Sequence, residues 1–429
     1  MNQQSEITSS SLENASGSAK GTVTGEHIQV LDGLRGIAIL MVLLLHTWEI
    51  SWFDFQQVFH SPVDLNFIPG TGFLGVELFF FLSAFCLTLP YARHAIEGKP
   101  RPTLRHFFGR RAAKIIPSYW LMLAILLLFF PHPNMPPEHF WLYLGEHLIF
   151  IHNWFFDTHA AINGVLWSLG IEVQFYLLFP LLMLALRRSP LVTLLGMAAV
   201  AQCWRALIVH WFFQDQGAVF LMWHDFQLPG HLDIFGAGIA GAFLFIWLRR
   251  RTAIERWSPL FTVLAILALV GFVLEMRACY GMRSTPYPLW LWNVQYRLLV
   301  AFTFFILGVS APLAVPPFRA ILANPVLTFF SFISYNLYMW HQWIAAWMLD
   351  HHLPNPRTPD PHDDLVWRTL FMLFSWTVAI SVSWAITYFW ERPFLRGTVW
   401  QFLKRVGDRE HGPVLTQVPP AIQQESPPP

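Results

Sequence analysis

The sequence predicts an all-α protein: a polytopic transmembrane helical bundle of about ten spans, with both termini cytosolic. Three observations predict it. First, the 429 residues are 55% hydrophobic and only 12% charged, against about 25% charged in a soluble domain, and mean hydropathy is +0.44. Second, apolar runs of about 20 residues recur and are continuous rather than alternating, which fits spanning helices and argues against a β-barrel. Third, when the runs are threaded alternately, 20 of the 27 basic residues fall on one side and only Arg283 and Arg357 on the other. That asymmetry orients the chain by the positive-inside rule. A net charge of +1 leaves no footprint for nucleic acid. Three cysteines, Cys86, Cys203 and Cys279, give no disulfide framework and no zinc spacing.

In order, residues 1–30 read as a polar cytosolic tail, 31–395 as the transmembrane domain, and 396–429 as a cytosolic, largely disordered Pro-rich tail. Residues 1–26 lack an apolar stretch of their own, and no small-residue cleavage site follows the first run, so that run is expected to stay as a membrane helix. The expected spans are about 34–52, 70–91, 115–131, 164–186, 190–213, 229–248, 259–277, 291–314, 326–350 and 366–390. Between the third and fourth, the piece from Trp141 to Phe156 is too short and too polar to cross and reads as interfacial or re-entrant. No internal repeat is evident, which weakens an inverted-repeat transporter.

The first span organises the rest. Arg35 and His46 are eleven residues apart, about three whole turns, so they share one face roughly 16 Å apart along the axis. Asp32 shares that side with Arg35. Such groups are costly to lipid and should face protein or water. The second span places Glu77 about two turns in from its outer end, and the fourth carries Glu172 inside the membrane. Glu172 reads either as a partner that orients His46 or as a buried structural carboxyl. Before the third span, Arg110, Arg111 and Lys114 cluster at an expected helix start. They either anchor the helix at headgroups or seat a phosphorylated ligand. In the ninth span Ser334, Tyr338 and His341 follow i, i+4, i+7 and share a stripe, as cavity-lining groups or as ordinary interhelical bonders. Asp233 is an intramembrane polar group without an assigned role. The outer-loop histidines His132, His139, His147, His152 and His159 lack the spacing of a helical metal pair, so no metal is expected. The last span is expected to stop at Glu391-Arg392-Pro393.

Together these stretches resemble the acyltransferase 3 family of bacterial membrane O-acyltransferases, over about residues 31–395. The resemblance rests on Asp32-Gly33-Leu34-Arg35-Gly36 with His46; Gly75-Val76 with Leu78-Phe79-Phe80-Phe81-Leu82-Ser83; Arg110-Arg111 with Pro117 and Tyr119-Trp120; Trp167-Ser168-Leu169 with Glu172 and Phe175-Tyr176; Ser334-Tyr335 with Leu337-Tyr338 and His341; and Glu391-Arg392-Pro393. It implies a multi-pass enzyme of the cell inner membrane that moves an acyl group from cytosolic acyl-CoA, usually acetyl-CoA, to a hydroxyl of a carbohydrate bound for the cell surface. Arg35 and His46 match the family's essential pair, and Arg111 and Lys114 its basic pair, where the second position is commonly Arg. Ala84 stands where the family usually has Gly. Some members carry an added esterase-like domain. None is seen here, so a second transfer step would need another protein.

On this reading His46 is the general base, with Glu172 orienting it and Arg35 positioning the thioester. Arg110, Arg111, Lys114 and Tyr119 hold the donor. Trp167, Ser334, Tyr335, Tyr338 and His341 line the substrate site. Asp32, Glu77 and Glu391 support the structure. Membrane lipids surround the chain, and glycan biosynthesis or export proteins are the expected partners. The rival class is a proton-coupled secondary transporter of a small polar solute, with His46, Glu77 and Glu172 as the relay. A catalytically silent sensor is the third reading.

Overall fold

The computed structural model describes residues 28–130, 135–212, 223–282, 292–358 and 360–397. Most of both tails, His132 and Arg283 lie outside them. Among the described residues the chain is built of helices joined by turns and loops, with no strand. The main helices are α1 (Gln29–Ser51), α2 (Leu74–Glu97), α3 (Leu104–Phe129), α4 (Phe140–Leu148), α5 (Trp167–Arg188), α6 (Pro190–Phe212), α7 (Leu232–Arg249), α8 (Ser258–Met282), α9 (Arg297–Ser310), α10 (Pro316–Leu322), α11 (Pro325–Asp350) and α12 (Leu365–Ala385). Among the described residues eight helices are long and apolar enough to cross a membrane. The stretch Arg297–Leu313 meets Pro316–Leu322 at 119°, and counting this bent pair as one span makes nine. The prolines at 312, 316 and 317 explain the bend, since each lacks an N–H to continue a helix. The ninth expected span, α11, is long enough to cross at roughly 39 Å, but its polar stripe keeps it out of the apolar set.

Burial sorts the helices into an inner and an outer group. In α1, α2 and the stretch around α7, 67%, 78% and 67% of the apolar window is buried, against 22% in α6 and 22% in the stretch containing α12. The outer helices show bare leucines, such as Leu177 and Leu181 on α5 and Leu267 and Leu274 on α8. That is a surface suited to lipid tails and not to water. α11 lies along α1, and α7 lies between α2 and α9. Small residues allow the closest approach: a Cβ on Gly33 would meet the Leu322 carbonyl oxygen at 1.7 Å, and one on Gly36 that of Leu327 at 2.2 Å. Close backbone packing of this kind holds helices together where no hydrophobic force acts between them.

Three boundaries differ from the sequence reading. α3 starts at Leu104, capped by Thr103, whose Oγ1 accepts the His106 N–H at 3.3 Å. Arg110, Arg111 and Lys114 therefore sit in the second and third turns and not at a helix start, and Pro117 is internal. Glu77 lies in the first turn of α2, not two turns in. The chain does not stop at Glu391. A π-helix, Ile386–Glu391, follows α12 and runs into Arg392–Leu395. Its wider turn puts Glu391 inside the protein. The interfacial piece is α4, nine residues long and too short to span.

Candidate active site

α1 and α11 bring His46 and His341 together. His341 Nε2 lies 2.9 Å from His46 Nδ1, and the ring centroids are 4.9 Å apart. His341 Nδ1 lies 2.8 Å from the Leu337 carbonyl, and His46 Nδ1 lies 3.1 Å from the Val42 carbonyl. The hydrogen-bond network assigns the tautomers. A carbonyl only accepts, so Nδ1 of neutral His341 carries the proton and its Nε2 is an acceptor. Nδ1 of His46 then donates to it. What remains is Nε2 of His46, unprotonated and basic. A single chain of donors thus aims one lone pair.

Arg35 stands three turns back on α1. Its Nη1 donates to Asp32 Oδ1 at 3.3 Å and its Nη2 to Cys86 Sγ at 3.8 Å. The carboxylate of Glu172 is also near enough to act on it electrostatically. Glu172 is not the partner of His46. Its Oε1 accepts from Ser83 Oγ at 2.9 Å and from the Tyr176 hydroxyl. The correction has a simple cause: Tyr176 is one turn further along α5, so the carboxylate is satisfied within its own helix, and His341 takes the orienting place. Arg111 lies over the Tyr176 ring at 5.8 Å, and its buried Nε has no hydrogen-bond partner. Lys114 pairs with Glu391 and lies over Tyr335 at 5.3 Å. Asn336 Nδ2 donates to Glu391 Oε2 and Thr387 Oγ1, both at 2.8 Å.

Of the other expected site residues, Tyr338 joins the cluster: Ser168 Oγ donates to its hydroxyl at 2.6 Å, and its ring lies 6.0 Å from that of His341. Tyr335 donates to the Ile115 carbonyl at 2.9 Å. Ser334 caps inward on the Ser331 carbonyl at 2.8 Å. Trp167 stacks on Phe226 at 4.1 Å. Tyr119 is fully buried and donates to the His147 carbonyl at 3.2 Å. It therefore ties α3 to α4 instead of standing with Arg111. Arg110 is exposed.

A second polar network lies apart from His46, and local spacing does not encode it. Arg297 pairs with Glu77, donates to Asp225 Oδ1 at 2.6 Å, and lies 2.8 Å from His231 Nδ1. Arg205 donates to Asp233 Oδ2 at 2.6 Å and to the Gly230 carbonyl at 2.8 Å. The available signal was the presence of two arginines inside apolar spans, which demand carboxylate partners. Glu77 thus belongs to Arg297 and His231, apart from His46. Among the outer histidines, His147 and His152 stack face to face at 4.2 Å. Burial holds the His147 imidazole down to about 4 and that of His152 well below its ordinary value. Among the described residues no group of three or more His, Cys, Asp or Glu side chains could hold a metal.

The family whose description is "acyltransferase domain" matches residues 28–390. Acyltransferase MdmB of Streptomyces mycarofaciens is 31% identical over 182 residues, covering 40% of this chain and 44% of that protein. O-acetyltransferase OatA of Staphylococcus aureus is 24% identical over 342 residues, covering 75% of this chain and 51% of that protein. A Caenorhabditis elegans protein named Regulator of hypoxia-inducible factor 1 is 28% identical over 190 residues, covering 39% of this chain and 36% of that protein. The chain thus spans about half the length of these relatives, or less. No solved structure matches it.

Proposed function

We infer the reaction from a premise that the family match supplies: this chain belongs to the acyltransferase 3 family. It is a multi-pass membrane acyltransferase. We propose that it moves an acyl group, in the first instance acetyl, from cytosolic acyl-CoA to a hydroxyl of a cell-surface or exported carbohydrate, in the cytoplasmic (inner) membrane. The basic-residue asymmetry supports cytosolic termini. The word O-acetyltransferase in the name of the staphylococcal relative supports the acetyl group.

The observation that carries the reading is the donor chain from His46 through His341 to the Leu337 carbonyl. It supports His46 Nε2 as the general base. In a direct transfer the acceptor O–H breaks, its proton goes to Nε2, and the oxygen bonds the acyl carbon. The C–S bond breaks, and the proton returns to the thiolate. Arg35, held by Asp32 some three turns from His46, would position the pantetheine arm of the donor. The buried, unpartnered Nε of Arg111, with exposed Arg110 beside it, suits the donor's phosphates. Lys114 contributes less charge there, because Glu391 neutralises it. Glycan biosynthesis or export proteins would deliver the acceptor.

The test uses inverted membrane vesicles given acetyl-labelled acetyl-CoA, with His46→Ala as the comparison. Label should enter a glycan or lipid-linked glycan fraction with the wild type and stay at background with the variant. Transfer that persists in His46→Ala would overturn the base assignment. Failure of the wild type to bind acetyl-CoA would overturn the donor.

A further inference from the structure

The chain folds back on itself where α4 ends. The Ile151 N–H donates to the Glu146 carbonyl at 3.0 Å and the Phe150 N–H to that of His147 at 3.1 Å, the paired bonds of a Schellman cap. The residue at the turn is Phe150 at φ 61°, in the left-handed region that glycine usually fills there. Its neighbours hold it in place. Tyr119 of α3 packs on its ring at 4.4 Å, and Gln174 of α5 donates to its carbonyl at 2.8 Å. Strain of this kind persists only where the surroundings enforce it. The turn carries His152 back over His147, with the two ring planes within 8° of parallel.

Both imidazoles are 0% exposed. His147 Nδ1 donates to the Tyr143 carbonyl at 2.8 Å, which leaves its Nε2 as an acceptor. Among the described residues that Nε2 and both ring nitrogens of His152 have no hydrogen-bond partner. A proton on either ring would put a buried charge against a second imidazole. Carboxylates stand nearby without relieving it. Asp157, Glu146 and Glu138 act on the Tyr143 hydroxyl, and Asp157 acts also on His159. Asp225, in the segment before α7, is taken by Arg297. His139, in the turn before α4, stacks on Tyr143. From α3 the titratable group is Tyr119, whose hydroxyl binds the His147 carbonyl. The charges that act on His152 are those of His147 and His159, and both oppose a proton there. Backbone groups of Tyr143 and Leu166 are what favour the charged forms, and burial outweighs them.

We propose that the His147–His152 stack is an acid-sensitive latch: while neutral, the two rings hold the α4 segment closed on the bundle, and a proton on either ring opens it. An imidazole released to water titrates near its ordinary value of about 6.5. The open form therefore binds protons that the closed form refuses, and the closed form loses ground as pH falls below about 6.5. At pH 4.5 the shift is about a hundredfold per imidazole. The same segment ends at Asn163, whose Nδ2 donates to the Met339 carbonyl at 2.9 Å, two residues before His341. Opening thus reaches the helix that carries the second histidine of the candidate site. The latch stands on this geometry and not on the acyltransferase reading, so its test needs no activity.

The experiment is amide hydrogen exchange of the full-length protein in lipid nanodiscs, read by mass spectrometry at pH 7 and 4.5 and corrected for the intrinsic pH dependence of exchange. On acidification the wild type should lose protection across residues 140–152 by about a hundredfold per imidazole, while α1 and α7 keep theirs. His152→Phe keeps a ring on the stack and breaks no side-chain hydrogen bond, and His147→Gln removes the other imidazole. Each should recover about a hundredfold of the loss, and the double variant should be protected alike at both pH values. Thermal unfolding at pH 7 checks that the variants fold. If His147→Gln fails that check, His152→Phe alone decides. Wild-type protection that acid leaves unchanged, an equal acid loss in wild type and His152→Phe, or a loss spread evenly along the chain overturns the latch.

Discussion

At His46 the direction of one N–H bond decides whether the ring can serve as a base. The Leu337 carbonyl sets the His341 tautomer, and His341 sets that of His46. In the proposed reaction His341 positions His46, and its loss should act through protonation state. His341→Ala is expected to lower kcat about a hundredfold, at the lower end of what a positioned base contributes. His341→Gln, which keeps an acceptor at the same reach, should recover part of that loss. The check is kcat and KM of both variants across pH. Equal loss in the two, with an unchanged pH profile, would leave only a packing role. Glu172 shows the same logic in reverse: a carboxylate with Ser83 and Tyr176 already in place has no need of an imidazole.

The elements hold these residues at the required separation through backbone contact. α1 meets α10 and α11 at Gly33 and Gly36, where no side chain intervenes. Alanine would gain about 1 kcal/mol in helix propensity at either position. The added Cβ, however, would strike a carbonyl oxygen, which no rotamer change relieves. Gly33→Ala and Gly36→Ala should therefore lower the thermal midpoint in detergent. Gly109→Ala, with nothing within 4 Å on α3, should hold or raise it. A stabilised Gly36→Ala would refute this account of the interface. The π-helix after α12 works at the same scale. Its wide turn carries both Thr387 and Glu391 to Asn336, as π turns at functional sites commonly do.

Over the whole molecule, the Glu77–Arg297–Asp225 network joins α2 to α9 and to the segment before α7. Removing one partner leaves buried charge unpaired, which costs about 3–5 kcal/mol, whereas removing both costs less. Arg297→Met should therefore be far less stable than wild type, and Glu77→Leu with Arg297→Met should lie between them. Thermal unfolding of the three proteins tests this, and simple additivity would count against it. Acid should act elsewhere. His147 is held at about 4 when folded, against about 6.5 when unfolded. Between those values the unfolded chain binds the proton and the folded chain does not. Stability from this group is thus lost as pH falls from about 6.5 to 4, by roughly 3 kcal/mol, and levels off below. Unfolding curves at pH 7 and 4.5 should show a smaller acid loss in His147→Gln than in wild type.

The sequence by itself determined the class and the cast. Continuous apolar runs leave a chain little choice but to form membrane helices, because backbone groups in hydrocarbon must pair within their own segment. The eleven-residue spacing puts Arg35 and His46 on one face, since helical periodicity is local. Charges inside spans marked Glu77, Glu172 and Asp233 as residues that need partners. Tertiary structure alone decided who those partners are. His341 reached His46 from 295 positions away, and Arg297 reached Glu77 from 220. Nothing in local spacing encodes such pairings, because they depend on which helices lie side by side. Cap chemistry and proline geometry placed the start of α3 and the bend before α10.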